Sequence, residues 1–215
     1  MAMNPARIMI VGCGPGSPAY LTEAARQAVA RAEVLVGSRR LLALFDAAGG
    51  ERIPVEGHIA ALPAKIAECR AAGRLIVVLV SGDPGLYSLA QIIVEHFGRG
   101  ACEIVPAVSS VQVAFARLGL DWSDARILSA HGRTPSIPLA DLAGCDKLAI
   151  FGGAADALEW TARAADALAA SHEVYLCENL TLDNERVRLL TPPQLAAVDA
   201  SSLSLVLLIR RSLLA

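Results

Sequence analysis

Several short clusters in this chain have residue types and spacings that chemistry can use. Ser81-Gly82-Asp83-Pro84-Gly85 sets a hydroxyl and a carboxylate among two glycines and a proline. The glycines let a ligand approach the backbone closely and Pro84 fixes the loop's shape, although Asp-Pro-Gly is also ordinary turn chemistry. Asp83 is an ordinary cap for a turn of this kind. Gly12-Cys13-Gly14-Pro15-Gly16-Ser17 is a second glycine-rich loop. Ser109-Ser110 stands just ahead of a helical stretch, where hydroxyls and free N–H groups cap the helix or hold a polar ligand. His131-Gly132-Arg133 offers two cations around a sharp turn, the arginine with a fork suited to carboxylates; a plain surface turn reads equally well. The basic pair Arg39-Arg40 reads as a solvated helix face in preference to a ligand clamp.

These clusters need elements to position them. Residues 75–80, LIVVLV, form a continuous apolar run, the pattern of a strand buried on both faces of a parallel sheet. The Ser81 loop stops it at once, and helical spacing resumes over 86–97. A loop at the carboxyl end of a central strand is where open α/β sheets place ligands. Residues 7–11 form a first strand running into the Gly12 loop. A dinucleotide fingerprint fails there: its third glycine would fall at Ser17, Pro15 sits where the phosphate-binding helix should open, and the second strand, 33–36, ends in Gly37 without the acidic residue. Helices are expected over 22–32, 39–47, 59–72 and 111–118, and further strands over 52–55 and 102–105. Alternation of this kind implies a mostly parallel sheet with helices on both faces. Leu118-Gly119-Leu120-Asp121-Trp122 is the candidate boundary, giving domains 1–120 and 121–215. Beyond it, strands at 125–130, 147–151, 173–177, 186–190 and 204–209, with helices at 155–169 and 193–198, imply a mixed sheet.

Composition narrows the function classes. The 215 residues are 54% hydrophobic with a net charge of −2, which leaves no nucleic-acid footprint and no polybasic membrane patch. An acidic ligand would have to be met by local Arg and His residues. The five cysteines are scattered and form no C-x-x-C pair, so buried reduced thiols are expected, with no disulfide framework and no metal site. The opening apolar run is too short for a signal peptide and no later run reaches membrane-spanning length, so the chain is expected in the cytoplasm.

Taken together and in order, VGCGPGSPAYLT (11–22), VLVSGDPGLY (78–87), PAVSSVQVAFARLGL (106–120), ILSAHGR (127–133) and CENLTLDNERV (177–187) resemble the tetrapyrrole methylases. The S-x-H-G-R and C-E-N-L-T segments point to the branch that methylates C5 of the corrin precursors precorrin-6Y or cobalt-precorrin-7. The resemblance implies an α/β fold of two domains, S-adenosylmethionine as co-substrate in the cleft between them, and a homodimer. It implies that Ser81, Gly82 and Asp83 touch the methionine and ribose parts of the cofactor and Ser109 and Ser110 its other side. Phe151, Gly152 and Leu180 would cover the adenosine. Gly12, Gly14 and Gly16 would line the substrate trough, with His131 and Arg133 meeting the tetrapyrrole's carboxylates. Ser17 departs from the acidic residue more usual at its position. Methyl transfer from a sulfonium to an electron-rich ring carbon needs alignment and desolvation more than a strong nucleophile, so a chain with no Ser/His/Asp set can perform it. On this resemblance Asp83 is the candidate catalytic residue: it could favour the sulfonium or hydrogen-bond the cofactor, or cap the turn. The alternatives are a methylase of another ring position or a non-catalytic tetrapyrrole-binding module. A separate C15-methylating decarboxylase is a conceivable partner.

Overall fold

A computed structural model describes residues 7–55, 57, 59–130, 134–152 and 155–214. The chain forms two compact units, 1–109 and 110–215.

The first unit contains β1 (Ile8–Gly12), α1 (Glu23–Ala30), β2 (Val34–Gly37), α2 (Arg39–Ala43), β3 (Glu51–Pro54), α3 (Leu62–Ala71), β4 (Ile76–Val80), α4 (Ala90–Phe97) and β5 (Cys102–Val105). The strands lie in the order β3-β2-β4-β1-β5 and every pairing is parallel. β4 is therefore the central strand. Its period-2 alternation divides it between two cores: Ile76, Val78 and Val80 pack with Leu62, Ile66, Ala90 and Ile93 of α3 and α4, while Val77 and Leu79 pack with Ala25, Val29, Leu41 and Leu42 of α1 and α2. β1 divides in the same way, with Ile8 and Ile10 on the first face and Met9 and Val11 on the second. Helices on both faces explain why these strands read as unbroken apolar runs. Each fully buried aliphatic side chain contributes about 1.5–3 kcal/mol.

The second unit contains α5 (Ser110–Arg117), β6 (Arg126–Ser129), β7 (Lys147–Gly152), α6 (Ala155–Ala167), β8 (His172–Glu178), β9 (Arg186–Leu190), α7 (Pro192–Ala197) and β10 (Ser204–Arg210). Its sheet runs β6-β7-β10-β8-β9; β6 and β7 are parallel and the other pairs antiparallel, so the sheet is mixed. Leu158, Trp160, Ala164 and Ala165 of α6 and Leu195 of α7 pack on Leu148, Ile150, Leu176, Val206 and Leu208. Lys147, at the start of β7, is nearly buried and reaches Asp121 at 2.8 Å and Asp124 at 2.6 Å.

Several expectations differ in their limits: α2 ends at Ala43 where the sequence suggested 47, and two further differences have a visible structural reason. The division falls between Ser109 and Ser110, ahead of α5, whereas the sequence suggested 120; α5 packs against β10 of the second unit, which accounts for the difference. The helix after β4 begins at Ala90 instead of near Leu86. Ser88 is responsible: its hydroxyl donates to the Pro84 carbonyl at 2.6 Å and accepts from the Ala90 N–H at 3.1 Å, holding the segment as a loop. Of the five thiols, none in a disulfide, Cys13 and Cys177 are buried and Cys69, Cys102 and Cys145 are half-buried.

Candidate functional site

The carboxyl ends of β1, β4 and β5 carry three loops that are hydrogen-bonded into one layer. Gly14 and Gly82 form an antiparallel bridge: the Gly82 N–H donates to the Gly14 carbonyl at 2.8 Å and the Gly14 N–H to the Gly82 carbonyl at 3.3 Å. Both sit at a positive φ that favours glycine, +72° and +65°. Gly12 does a different job. A Cβ there would lie 2.6 Å from the Ala107 Cβ and 2.8 Å from both the Gly82 carbonyl oxygen and the Pro84 Cδ, so the protein itself fills that space. Gly12, expected to line a substrate trough, thus serves to let the loops close on one another. Gly16 is also buried. At Gly82 the space is open: only the Ser109 Cα comes within 4 Å of where a Cβ would stand, at 3.8 Å.

Asp83 ties this layer together. One carboxylate oxygen accepts the Gly85 N–H at 2.8 Å, closing the turn, and the other accepts the Ala107 N–H at 2.9 Å, joining the β4 loop to the β5 loop. A carboxylate has about four acceptor positions, so both oxygens keep capacity for a ligand. Ser109 is buried. Ser17 spends its side chain on its own backbone, accepting the Ala19 N–H at 3.3 Å and capping a short helical turn.

Arg40 joins the same edge. The Ser38 hydroxyl caps α2, and the Arg40 Nη2 donates to the Ser81 Oγ at 3.1 Å. Its Nη1 is buried and has no hydrogen-bond partner among the described residues. Burial pushes the guanidinium below its usual value, yet an arginine stays charged at neutral pH. Beside it, burial pushes the Cys13 thiol up to about 12, outweighing the lowering effects of Arg40 and of a backbone hydrogen bond at Val80.

In the second unit a comparable strand end exists. β10 begins at Ser204, paired with Gly152 at the end of β7 and with Glu178 at the end of β8. Glu178 is fully buried and accepts from the Arg188 Nη2 at 2.8 Å and from the Ser201 N–H at 3.1 Å, which compensates its charge. The turn that follows is strained on both sides of buried Leu180: Asn179 has φ of 51° and Thr181 has φ of 70°, unusual for a β-branched residue. Glu185 holds it, accepting the Thr181 N–H at 2.5 Å while pairing with the Arg117 Nε at 2.6 Å. The hydrogen bond from Arg117, and the backbone one from Thr181, hold the Glu185 carboxyl below its usual range. The Ser204 Oγ is buried and has no hydrogen-bond partner among the described residues.

Of the expected site residues, the first unit therefore brings together Gly12, Gly14, Ser81, Gly82, Asp83 and Ser109. In the second unit, register places Phe151 and Gly152 beside Leu205 and Ser204 of β10, and Leu180 follows the end of β8. Ser110 opens α5. His131 and Arg133 lie outside the described residues. Arg40, read from the sequence as part of a solvated helix face, instead turns to Ser81, and its signal was its place just past the end of β2; Glu185 was not singled out, and its signal was its spacing from the Asn179 turn. Among the described residues no cluster of three metal-ligating side chains occurs, and no helix is long and apolar enough to cross a membrane.

Comparison with known proteins adds the following. The family model of tetrapyrrole (corrin/porphyrin) methylases matches residues 7–196. The cobalt-precorrin-7 C(5)-methyltransferase of Salmonella typhimurium is 38% identical over 181 residues, covering 84% of this chain and 88% of that protein. Among solved structures, the precorrin-6Y methylase of Archaeoglobus fulgidus aligns with a TM-score of 0.73 at 27% identity, covering 95% of this chain and 98% of its own. The uroporphyrin-III C-methyl transferase of Thermus thermophilus, complexed with S-adenyl homocysteine, has the same fold, with a TM-score of 0.76 at 24% identity over 95% of this chain and 92% of its own.

Proposed function

Because this chain belongs to the tetrapyrrole (corrin/porphyrin) methylases, we propose that it transfers the methyl group of S-adenosylmethionine to C5 of a corrin-pathway tetrapyrrole, precorrin-6Y or cobalt-precorrin-7. The observation that carries this reading is the 38% identity with a cobalt-precorrin-7 C(5)-methyltransferase over most of both chains. In the reaction, the electron pair of the ring carbon forms the new C–C bond as the methyl C–S bond breaks, releasing S-adenosylhomocysteine, and the positive charge passed to the ring leaves as a proton to solvent. The protein's task is to align the two ligands and exclude water.

The residues fit such a ligand. Gly82 presents open space at its Cα beside a hydroxyl and a carboxylate, the surroundings expected for the methionine and ribose parts of the cofactor. Asp83 acts by position: it holds two loops at fixed separation and offers its remaining lone pairs, so we assign it no proton transfer. Ser81, Ser109 and Ser110 are assigned to the cofactor with it. In the second unit Phe151, Gly152 and Leu180 are assigned to the adenosine; the strained turn around Leu180 and the unpartnered Ser204 hydroxyl support this, since backbone strain and orphaned polar groups concentrate at ligand sites. Gly14 and Gly16 are assigned to the substrate trough. We further infer a homodimer working in the cytoplasm. Incubating purified protein with radiolabelled S-adenosylmethionine and each of the metal-free and cobalt-bearing substrates tests the reading. Label in the tetrapyrrole supports it. Folded protein that binds S-adenosylhomocysteine and the tetrapyrrole without transfer would instead be a binding module.

A further inference from the structure

We propose that Arg40 is a carboxylate-binding residue at the mouth of the first unit's sheet, its ligand being an acidic side chain of the tetrapyrrole or the amino-acid carboxylate of S-adenosylmethionine. The proposal rests on the reading that the chain binds these two molecules. It begins from an imbalance of charge. Arg52, Arg74, Arg117, Arg188 and Arg210 each pair with a carboxylate. Arg40 is half-buried and, among the described residues, no carboxylate lies within ion-pair reach of it. One nitrogen donates to a neutral hydroxyl, Ser81 Oγ, and the other is buried with nothing to bond.

The buried thiol beside it does not compensate. Cys13 stays a neutral thiol, because burial holds its pKa near 12. An unpaired, partly desolvated cation is costly, and removing the partner of a buried charge commonly costs several kcal/mol. A fold that retains one with no anion beside it among the described residues is arranged for an external one. The location agrees. Arg40 stands three residues after Gly37, the last residue of β2, and β2 is paired directly with β4, so the guanidinium reaches the lip of the central loop. The two terminal nitrogens form a fork that matches a carboxylate's two oxygens. One of them is already fixed by Ser81, so little side-chain freedom remains to be lost on binding.

The test compares the wild-type protein with Arg40→Met and Arg40→Lys. Affinity for S-adenosylhomocysteine is read by calorimetry, affinity for cobalt-precorrin-7 by absorbance titration, and stability by thermal unfolding. Arg40→Met is expected to weaken one ligand tenfold or more and leave the other within twofold. Arg40→Lys should recover part of the loss, and the melting temperature of Arg40→Met should not fall, since an uncompensated cation has been removed. Loss on the tetrapyrrole assigns the residue to a ring side chain; loss on S-adenosylhomocysteine assigns it to the amino-acid end. Weakening of neither ligand overturns the proposal. Weakening of both with a lowered melting temperature also overturns it, making Arg40 a tie for the Ser81 loop. Wild-type protein that binds the tetrapyrrole but transfers no methyl group would sink the methyltransferase reading while leaving these affinities to decide the role of Arg40.

Discussion

Asp83 and the glycines around it divide the work of the central loop between packing and binding, and single substitutions separate the two. Asp83→Asn keeps the shape but presents one N–H donor to one of two backbone N–H groups, at Gly85 or Ala107. Losing a charge-assisted bond there should cost about 1.5–3 kcal/mol of stability in denaturant unfolding. An unchanged midpoint would mean the carboxylate does not staple the loops. Gly12→Ala places a methyl group against Ala107 and Pro84, and overpacking of this kind costs about 1–3 kcal/mol, so it should reduce stability. Gly82→Val is different because the space is open. Its burden is the positive φ and the obstruction of whatever approaches the backbone. Affinity for S-adenosylhomocysteine should fall more than tenfold, about 1.4 kcal/mol, in a protein that still folds. Retained affinity in that folded variant would leave the loop as a structural turn.

At the scale of elements, the turn after β8 shows how a distant charge pair sets a local shape. Glu185 accepts from Thr181 and pairs with Arg117, and its pKa is depressed in the folded state. Its contribution to stability is therefore complete above the ordinary carboxylate value near 4.5 and is lost as pH falls through the lower folded value. Acid titration of the wild-type should show a loss of stability below about pH 4.5 that is smaller in Glu185→Gln, and equal slopes in the two proteins would remove Glu185 from the account. The strands of the first unit's sheet interior were legible in the sequence because burial on both faces writes an unbroken apolar run, as at Ile76–Val80. The loops were legible from their glycines. What escaped depends on contacts distant in sequence. That α5 packs with β10, that Ser88 delays α4, and that Arg40 turns toward Ser81 instead of solvent are set by neighbours 41 residues away in the last case and by a local hydroxyl in the second. Arg39-Arg40 read as a solvated face because a basic pair at a helix start normally is one. Only the position of α2 at the carboxyl edge of the sheet made Arg40 different.

For the whole molecule, each unit carries its own apolar core around its own five-stranded sheet. The proposed homodimer predicts a light-scattering mass of twice the chain across micromolar concentrations; a mass of one chain throughout that range would exclude it. The central claim, that this chain methylates C5 of a corrin precursor, is tested most directly by the position of the transferred carbon. Purified protein is supplied with cobalt-precorrin-7 and, in parallel, precorrin-6Y, with S-adenosylmethionine labelled by carbon-13 in its methyl group, and the product is examined by NMR. The account predicts a single enriched methyl resonance coupled to ring carbon C5. Enrichment at another ring carbon, or a tetrapyrrole that binds and is recovered unlabelled with both substrates, would contradict it.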